Sequence, residues 1–315
     1  MNIRAPFINQ YGRLRSGWRI LIFAFVLLVL INIADLTLYG IRRSVGGMAP
    51  WLDSVEAVLN RLLLLVGALA AGYICTKSLE GLPWRALGLT FHKLWYRDVI
   101  VGAAIGILTL AAAVVIAFAV GGLRFSMSTT GVLLATVRSV GGSAVLFAIA
   151  ALAEEAIFRG YPLQTLSRAR LVWLGLLLNF VFFAIVHLGN PNVVPGFTFA
   201  NTALAGVWLA IAFIRTRSLW FPFAVHWGWN WALGSLFGLP VSGLNLVSHP
   251  LIKGRDFGPA WITGGSYGLE GGAACTVVLI LACIFVWRTK WISATPEMMK
   301  LTSEENPLPA KTANR

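Results

Sequence analysis

The sequence predicts an all-α, polytopic integral membrane protein with about eight transmembrane helices. Hydrophobic residues make up 58% of the 315 residues, charged residues make up only 12%, and the mean hydropathy is +0.78. Soluble domains carry about 25% charged residues. Half of that share, in a chain with repeated long apolar runs, is typical of a protein that crosses a bilayer several times.

Eight apolar runs define the predicted membrane spans. They cover residues 19–40, 55–75, 99–121, 133–166, 171–188, 199–214, 219–238 and 271–288. The fourth run is long because helix-forming residues continue past two glutamates to Ser167, and Pro162 is the expected position of a kink. Residues 239–270 contain Gly and Pro, and we expect them to form a loop that caps one face.

The spans divide the chain into three parts. Residues 1–18 are predicted to be a cytoplasmic N-terminal segment, and residues 19–292 a single transmembrane helical domain. Residues 293–315 are polar and contain three prolines, so we expect a flexible C-terminal tail.

The distribution of basic residues predicts that both termini lie in the cytoplasm. With that orientation, 18 of the 25 Lys and Arg residues fall on the cytoplasmic side, as the positive-inside rule requires. The formal net charge of +13 is then explained by topology and by contact with anionic lipid. We therefore expect the lipid bilayer as a partner and no nucleic acid.

Polar residues inside the predicted spans are few, and they are the site candidates. A charged group at the middle of a span costs about 2.5–3.5 kcal/mol on insertion scales, so such residues usually face the bundle interior and mark a site. His92 and His249 lie in predicted loops and are interpreted as surface residues. The candidates within spans are Glu154, Glu155, Arg159, His187, His226 and Asn230.

The helical rise predicts that these groups can meet inside the membrane. Counted from the cytoplasmic ends of their helices, Glu154 lies about 20 Å deep and His187 about 24 Å deep. His226 and Asn230 lie about 10 and 16 Å deep on the seventh span. The groups can converge only if the fourth helix continues past its glutamates, because otherwise Glu154 would lie at the cytoplasmic surface.

Helical spacing separates the two adjacent glutamates. Glu155 and Arg159 are four residues apart, so they can pair on one helix face. Glu154 is rotated by about 100° from Glu155 and has no such local partner. We therefore interpret Glu155 and Arg159 as structural support and Glu154 as the group that is free to act.

The two histidine helices carry further spacing signals. His226 and Asn230 are also four residues apart and face one side together. Phe183 stands one turn before His187, where it serves either as helix core or as a wall of the pocket, and we include it as structural support.

At this point three motifs match a known family. "EEAIFR" fits EExxxR, "FAIVH" fits FxxxH and "HWGWN" fits HxxxN, in this order and each on a separate apolar span. The sequence thus resembles the CPBP family of intramembrane proteases, which includes type 2 CAAX prenyl endopeptidases and bacterial bacteriocin-processing or immunity proteins. The motifs occupy residues 154–230, about a quarter of the chain.

The resemblance implies an all-helical intramembrane endopeptidase with a catalytic core at about residues 143–238, in a bacterial cell membrane. It implies that Glu154 is the general base that activates water and that His187 assists it. His226 and Asn230 would polarise the scissile carbonyl or stabilise its oxyanion. The implied substrate is a hydrophobic, prenylated or membrane-anchored peptide or protein.

Metal dependence stays open at this stage. Glu154, His187 and His226 could form a three-ligand zinc site with one open position, which would lower the pKa of a bound water. However, HExxH is absent, and a water activated by Glu and His without metal serves equally well. The spacing of these residues decides neither alternative.

Two other functions use the same polar residues. A non-enzymatic immunity or scaffold protein could bind a membrane partner through the same cavity. A transporter could relay protons through buried Glu and His, but the sequence has no repeated half with broken helices, which weighs against it.

Overall fold

The computed structural model describes residues 6–44, 50–127, 133–194 and 196–302, without the side chains of residues 50–55 and 57. These residues form helices and two short strands. In chain order the elements are α1 (Ser16–Ser44), α2 (Pro50–Glu80), α3 (Trp95–Ala119), β1 (Leu123–Met127), α4 (Leu133–Glu155), α5 (Tyr161–Arg168), α6 (Val172–His187), α7 (Phe197–Thr216), α8 (Trp220–Trp231), β2 (Ile252–Asp256), α9 (Ala260–Thr263), α10 (Ala273–Arg288) and α11 (Pro296–Thr302).

The predicted all-α, polytopic membrane fold is confirmed. Each of the eight predicted spans corresponds to a helix within the described ranges. Five of the helical stretches found there are long and apolar enough to cross a membrane: Ser16–Ser44, Val58–Glu80, Trp95–Ala119, Leu133–Arg168 and Phe197–Thr216. The apolar helices α6 and α10 are shorter, with 16 residues each, or about 24 Å of helix.

Burial shows which helices form the periphery and which form the centre. Only 11% of the most apolar stretch of α1 is buried, against 61% of that of α7. Large apolar side chains on α1, including Leu21, Phe25 and Leu36, are more than half exposed. Such a continuous exposed apolar surface is stable against lipid tails and unfavourable in water.

Glycines bring α3 and α8 into backbone contact. A Cβ on Gly102 of α3 would lie 2.6 Å from the carbonyl oxygen of Phe221, and one on Gly106 would overlap the α8 backbone. In return, a Cβ on Gly228 of α8 would lie 2.6 Å from the carbonyl oxygen of Ala103. Small residues let membrane helices approach closely, so these glycines fix the position of α8.

The segment after α8, which is expected to form a cap and is called the cap below, adds a small sheet to the all-α fold. β1 and β2 pair antiparallel, from Leu123 opposite Asp256 to Met127 opposite Ile252. The Phe125 ring of β1 packs against that of Phe237, with ring centroids 5.9 Å apart. The cap is therefore attached to the chain segment that follows α3.

The C-terminal segment differs from the expected flexible tail. Residues 296–302 form helix α11, in which the side chains of Met298 and Thr302 are fully buried. The hydroxyl of Thr295 accepts a hydrogen bond of 3.3 Å from the Met298 backbone N–H at the helix start. Burial and this cap explain the helix, while residues 303–315 lie outside the described residues.

Candidate active site

The helix that carries the two glutamates continues beyond them, as predicted. α4 ends at Glu155, a π-helical turn covers Ala156–Gly160, and α5 begins at Tyr161. Pro162 lies in the first turn of α5, where its missing N–H is tolerated. The helix is therefore irregular in the π turn before Pro162 and not at Pro162 itself, where the kink was expected. Such π turns often occur at functional sites.

Glu155 and Arg159 form the predicted ion pair. Arg159 Nη1 donates to Glu155 Oε1 at 2.9 Å, and both side chains are fully buried. Arg159 Nη2 donates to the carbonyl oxygen of Gly206 in α7 at 3.0 Å. Because a Cβ on Gly206 would lie 2.6 Å from the carbonyl oxygen of Asn179, this glycine also allows α6 and α7 to pack closely.

His226 shares the same carboxylate. Its Nδ1 lies 3.0 Å from Glu155 Oε1, and an ionised carboxylate can only accept, so Nδ1–H donates. The Nε2 atom of His226 is then the ring nitrogen available to other groups. Glu155 therefore joins α4 to α8 in addition to pairing with Arg159, a contact that the sequence analysis did not include.

His187 is oriented by its own helix. Its Nδ1 lies 2.7 Å from the carbonyl oxygen of Phe183, which can only accept, so Nδ1–H donates. The Nε2 atom consequently faces away from the α6 backbone and toward α4.

Glu154 stands between the two imidazoles. The Nε2 atoms of His187 and His226 each lie 3.8 Å from Glu154 Oε2. Oε2 is buried and has no hydrogen-bond partner among the described residues, while the whole side chain is 21% exposed. The structure thus brings together three residues from three helices, α4, α6 and α8.

Phe183 packs under this group. Its ring centroid lies 4.5 Å from the Arg159 guanidinium carbon and 4.7 Å from the His187 ring centroid. The residue is only 3% exposed but lines the cavity. The two alternatives considered for Phe183, core and pocket wall, are therefore both realised.

A cavity of about 500 Å³ contains the candidate groups. Glu154, His187, His226 and Asn230 all line it. The Asn230 side chain makes no hydrogen bond within the described ranges of the chain, so its amide is available to a ligand. Much of the remaining wall is apolar and comes from α1, α2, α4 and the π turn: Leu27, Ile31, Leu64, Leu146, Phe147, Ala150 and Ile157.

The candidate metal ligands do not form a metal centre. Among the described residues, no group of three or more His, Cys, Asp or Glu side chains could hold a metal ion. Glu154, His187 and His226 are neighbours but do not fit this role, so no chemical step is derived through a metal.

The arrangement can support hydrolysis. A carboxylate with an imidazole beside it can take a proton from water, and an imidazole and an amide can donate hydrogen bonds to a developing oxyanion. These groups line one cavity of a largely apolar helical bundle.

Comparison with known proteins agrees with a hydrolytic function. Residues 136–232 match the family model described as type II CAAX prenyl endopeptidase Rce1-like. The match runs from α4 to the end of α8 and includes all three motifs. It confirms the resemblance to the CPBP and CAAX proteases and indicates, in general terms, a CAAX-type intramembrane protease and hence a hydrolase. No curated protein and no solved structure matches the chain.

One histidine outside the site differs from expectation. His92, interpreted as a surface residue, is only 2% exposed. Its Nε2 lies 3.0 Å from Asp98 Oδ2 and 3.3 Å from Ser218 Oγ. It is buried because it joins the loop before α3 to the loop before α8.

Sequence reasoning also missed a charged residue in the cavity. Glu270 lines the cavity wall but lies in no motif and outside every predicted span. Its only signal in the sequence is a carboxylate in the cap, one residue before the predicted span at residues 271–288.

Proposed function

We propose that the protein hydrolyses a peptide bond in a hydrophobic or lipid-modified, membrane-anchored protein or peptide, with a water molecule activated by Glu154. The observation that carries the proposal is the position of one Glu154 oxygen, 3.8 Å from the Nε2 atoms of both His187 and His226, in a cavity that Asn230 also lines. This geometry and the family resemblance support the role that we propose for each residue.

Glu154 acts as the general base. It takes a proton from water while the oxygen of that water attacks the scissile carbonyl carbon, and it returns the proton to the leaving amine nitrogen. His187 assists by holding the water, since its Nδ1 is occupied by the Phe183 carbonyl and its Nε2 faces Glu154.

His226 and Asn230 stabilise the oxyanion. They lie one helical turn apart on α8 and line the same cavity. Asn230 supplies an amide N–H. Because Nδ1–H of His226 donates to Glu155, its Nε2 is a donor only in the protonated ring, so His226 acts here as an imidazolium. Such donors are most effective where water is excluded. Glu155 and Arg159 support the site by fixing the His226 ring.

The apolar walls and the family description support a lipid-modified substrate. Apolar side chains from α1, α2 and α4 face the cavity, and the matching family model is named for prenyl endopeptidases. We further propose that both termini lie in the cytoplasm, on the basis of the distribution of Lys and Arg, and that the membrane is that of a bacterial cell, on the basis of the family resemblance.

The direct test is cleavage of a farnesylated reporter peptide ending in a CAAX sequence by the purified protein in lipid nanodiscs. We expect wild-type protein to cleave it and Glu154→Gln and His187→Ala to lose activity while remaining folded. Glu56→Gln is the matched control, because Glu56 pairs with Arg42 at an exposed position outside the cavity. Full turnover by Glu154→Gln would show that the base assignment is wrong.

Natural substrates can be found in cells. We expect membranes from cells with wild-type protein to contain new protein termini that are absent with Glu154→Gln. If a cellular function of the protein persisted unchanged in Glu154→Gln, a non-enzymatic scaffold role would account for it instead.

A further inference from the structure

Glu270 is a second carboxylate in the cavity that contains Glu154. It lies between α9 and α10, close to the start of α10, and lines the wall formed by α7, α8 and the cap. It lies outside residues 136–232, which match the family model, and it has no part in the hydrolytic roles proposed above.

Hydrogen bonds fix the orientation of the Glu270 carboxylate. Oε1 accepts from the indole N–H of Trp229 at 2.9 Å. Oε2 accepts from the backbone N–H of Ser242 at 2.6 Å and from its hydroxyl at 3.2 Å. A carboxylate offers about four acceptor sites, so three donors leave it one site short of full coordination.

No positive charge within the described residues compensates Glu270. It forms no ion pair there, and the only Lys or Arg side chain among the described cavity-lining residues is Arg61, on the α2 wall. The negative charge of Glu270 also acts on the neighbouring Tyr267. Burial raises the pKa of Tyr267 to about 12, and the charge of Glu270 contributes to this increase. An uncompensated carboxylate in a cavity with apolar walls is costly, and such groups usually mark a binding site.

We propose that Glu270 binds a positively charged group of the substrate, either a Lys or Arg side chain or a free amino group. Trp229, which donates to Glu270, is the chain neighbour of Asn230 and lies on the helix of His226. The subsite therefore shares one cavity with Glu154, and it selects substrates whose cation reaches it while the scissile bond lies at Glu154. This inference rests on the proposed function, because it names the substrate class of the same cavity.

A purely structural role makes a different prediction. If Glu270 only attached the cap to α8, its replacement would weaken the binding of all substrates equally, whatever their charge. A binding role predicts an effect that depends on the charge of the substrate, and this difference defines the test.

Binding is measured in the Glu154→Gln background by fluorescence anisotropy in nanodiscs, so that the result does not depend on hydrolysis. The probes are farnesylated reporter peptides that differ only in one residue, lysine or norleucine, placed in turn at each position flanking the scissile bond. We expect lysine at one position to improve Kd about tenfold or more. In Glu154→Gln/Glu270→Gln we expect the two peptides to bind equally.

Two controls separate charge from structure. Adding Ser242→Ala to the Glu154→Gln background removes one donor but keeps the Glu270 charge, so the lysine preference should remain. Acetylating the peptide lysine leaves the protein unchanged and should abolish the preference even if a Glu270 variant fails to fold. Equal binding of lysine, acetyl-lysine and norleucine peptides at every position would overturn the proposal. Failure of wild-type protein to cleave any peptide would instead count against the proposed function.

Discussion

The Nδ1 atom of His226 and the Oε1 atom of Glu155 lie 3.0 Å apart, and the same Oε1 lies 2.9 Å from Arg159 Nη1. One carboxylate oxygen therefore connects a buried cation on its own helix to a catalytic candidate on another. Glu155 is more than the partner of Arg159, because it also fixes which ring nitrogen of His226 faces Glu154. The two adjacent glutamates thus have different roles: Glu155 orients and Glu154 reacts.

Replacing Glu155 by Gln should impair both stability and activity. The change leaves the fully buried Arg159 without its counter-charge, and removing one partner of a buried pair typically costs about 3–5 kcal/mol. His226 also loses the carboxylate that orients it. Thermal unfolding in detergent and turnover of the farnesylated reporter measure the two effects.

Glu56→Gln is the matched control for this prediction. Its pair with Arg42 is exposed, and exposed pairs contribute about 0–1 kcal/mol. If Glu155→Gln unfolded at the same temperature as Glu56→Gln, the assigned role of the buried pair would be wrong.

Replacing Phe183 by Leu should destabilise the protein while leaving the His187 hydrogen bond intact. The ring lies 4.5 Å from the Arg159 guanidinium, and a desolvated cation–π contact contributes about 2 kcal/mol. The bond to His187 uses the backbone carbonyl of residue 183 and survives the change. We expect a clear drop in melting temperature and a smaller drop in turnover.

Phe180→Leu on the same helix is the control. Phe180 is partly exposed, and its ring packs against that of Phe199, with ring centroids 6.3 Å apart. An equal loss of stability in the two variants would indicate that the Arg159 contact contributes nothing.

Periodicity and local spacing made much of this structure predictable. The eight apolar runs became helices, and the Glu155–Arg159 pair followed from a separation of four residues. The neighbourhood of Glu154, His187 and His226 followed from their estimated depth and from the three motifs. Each of these predictions rests on residues close together on one helix or on a family motif.

The missed contacts join residues that are far apart in the sequence. The hydrogen bond of Glu270 to Trp229 and that of Glu155 to His226 link different elements, and the pairing of β1 with β2 joins segments about 130 residues apart. Hydropathy does not report on long-range contacts, because the sequence around a single polar residue in a loop looks the same whether its side chain is buried or exposed. His92 was misjudged for this reason.

Replacing Gly106 by Ala should displace α8 from α3. A Cβ at this position would overlap the backbone carbonyl of Val225, one residue before His226. Overpacking costs about 1–3 kcal/mol, and a displacement of about 1 Å in a catalytic group can reduce the rate about 100-fold. We expect lower thermal stability and a marked fall in kcat.

Gly141→Ala provides the comparison for Gly106→Ala. A Cβ on Gly141 of α4 meets no atom within 4 Å, so the change should be neutral or slightly stabilising because Ala favours helix. Wild-type turnover by Gly106→Ala would mean that the contact between α3 and α8 does not position His226.

Chelation should leave peptidase activity unchanged. Within the described part of the chain, Glu154, His187 and His226 do not form a group that could hold a metal ion, and the proposed base acts on water directly. We expect equal turnover before and after treatment with a chelator, and no bound zinc by mass spectrometry. Loss of activity that added zinc restores, together with lower zinc content in Glu154→Gln, would assign these residues as metal ligands instead.

Replacing Glu80 by Gln should destabilise the bundle without impairing the chemistry. Its carboxylate accepts from Arg19 Nη1 at 2.8 Å, from Thr165 Oγ1 at 2.7 Å and from Arg168 Nη2, and so joins α1, α2 and α5. All these side chains are buried, so neutralising the carboxylate that two buried arginines share should cost about 3–5 kcal/mol. Glu80 is absent from the described lining of the catalytic cavity, so the turnover of each folded molecule should match wild type while the melting temperature falls well below that of Glu56→Gln. A variant that melted like wild type but lost turnover would instead link this cluster to catalysis.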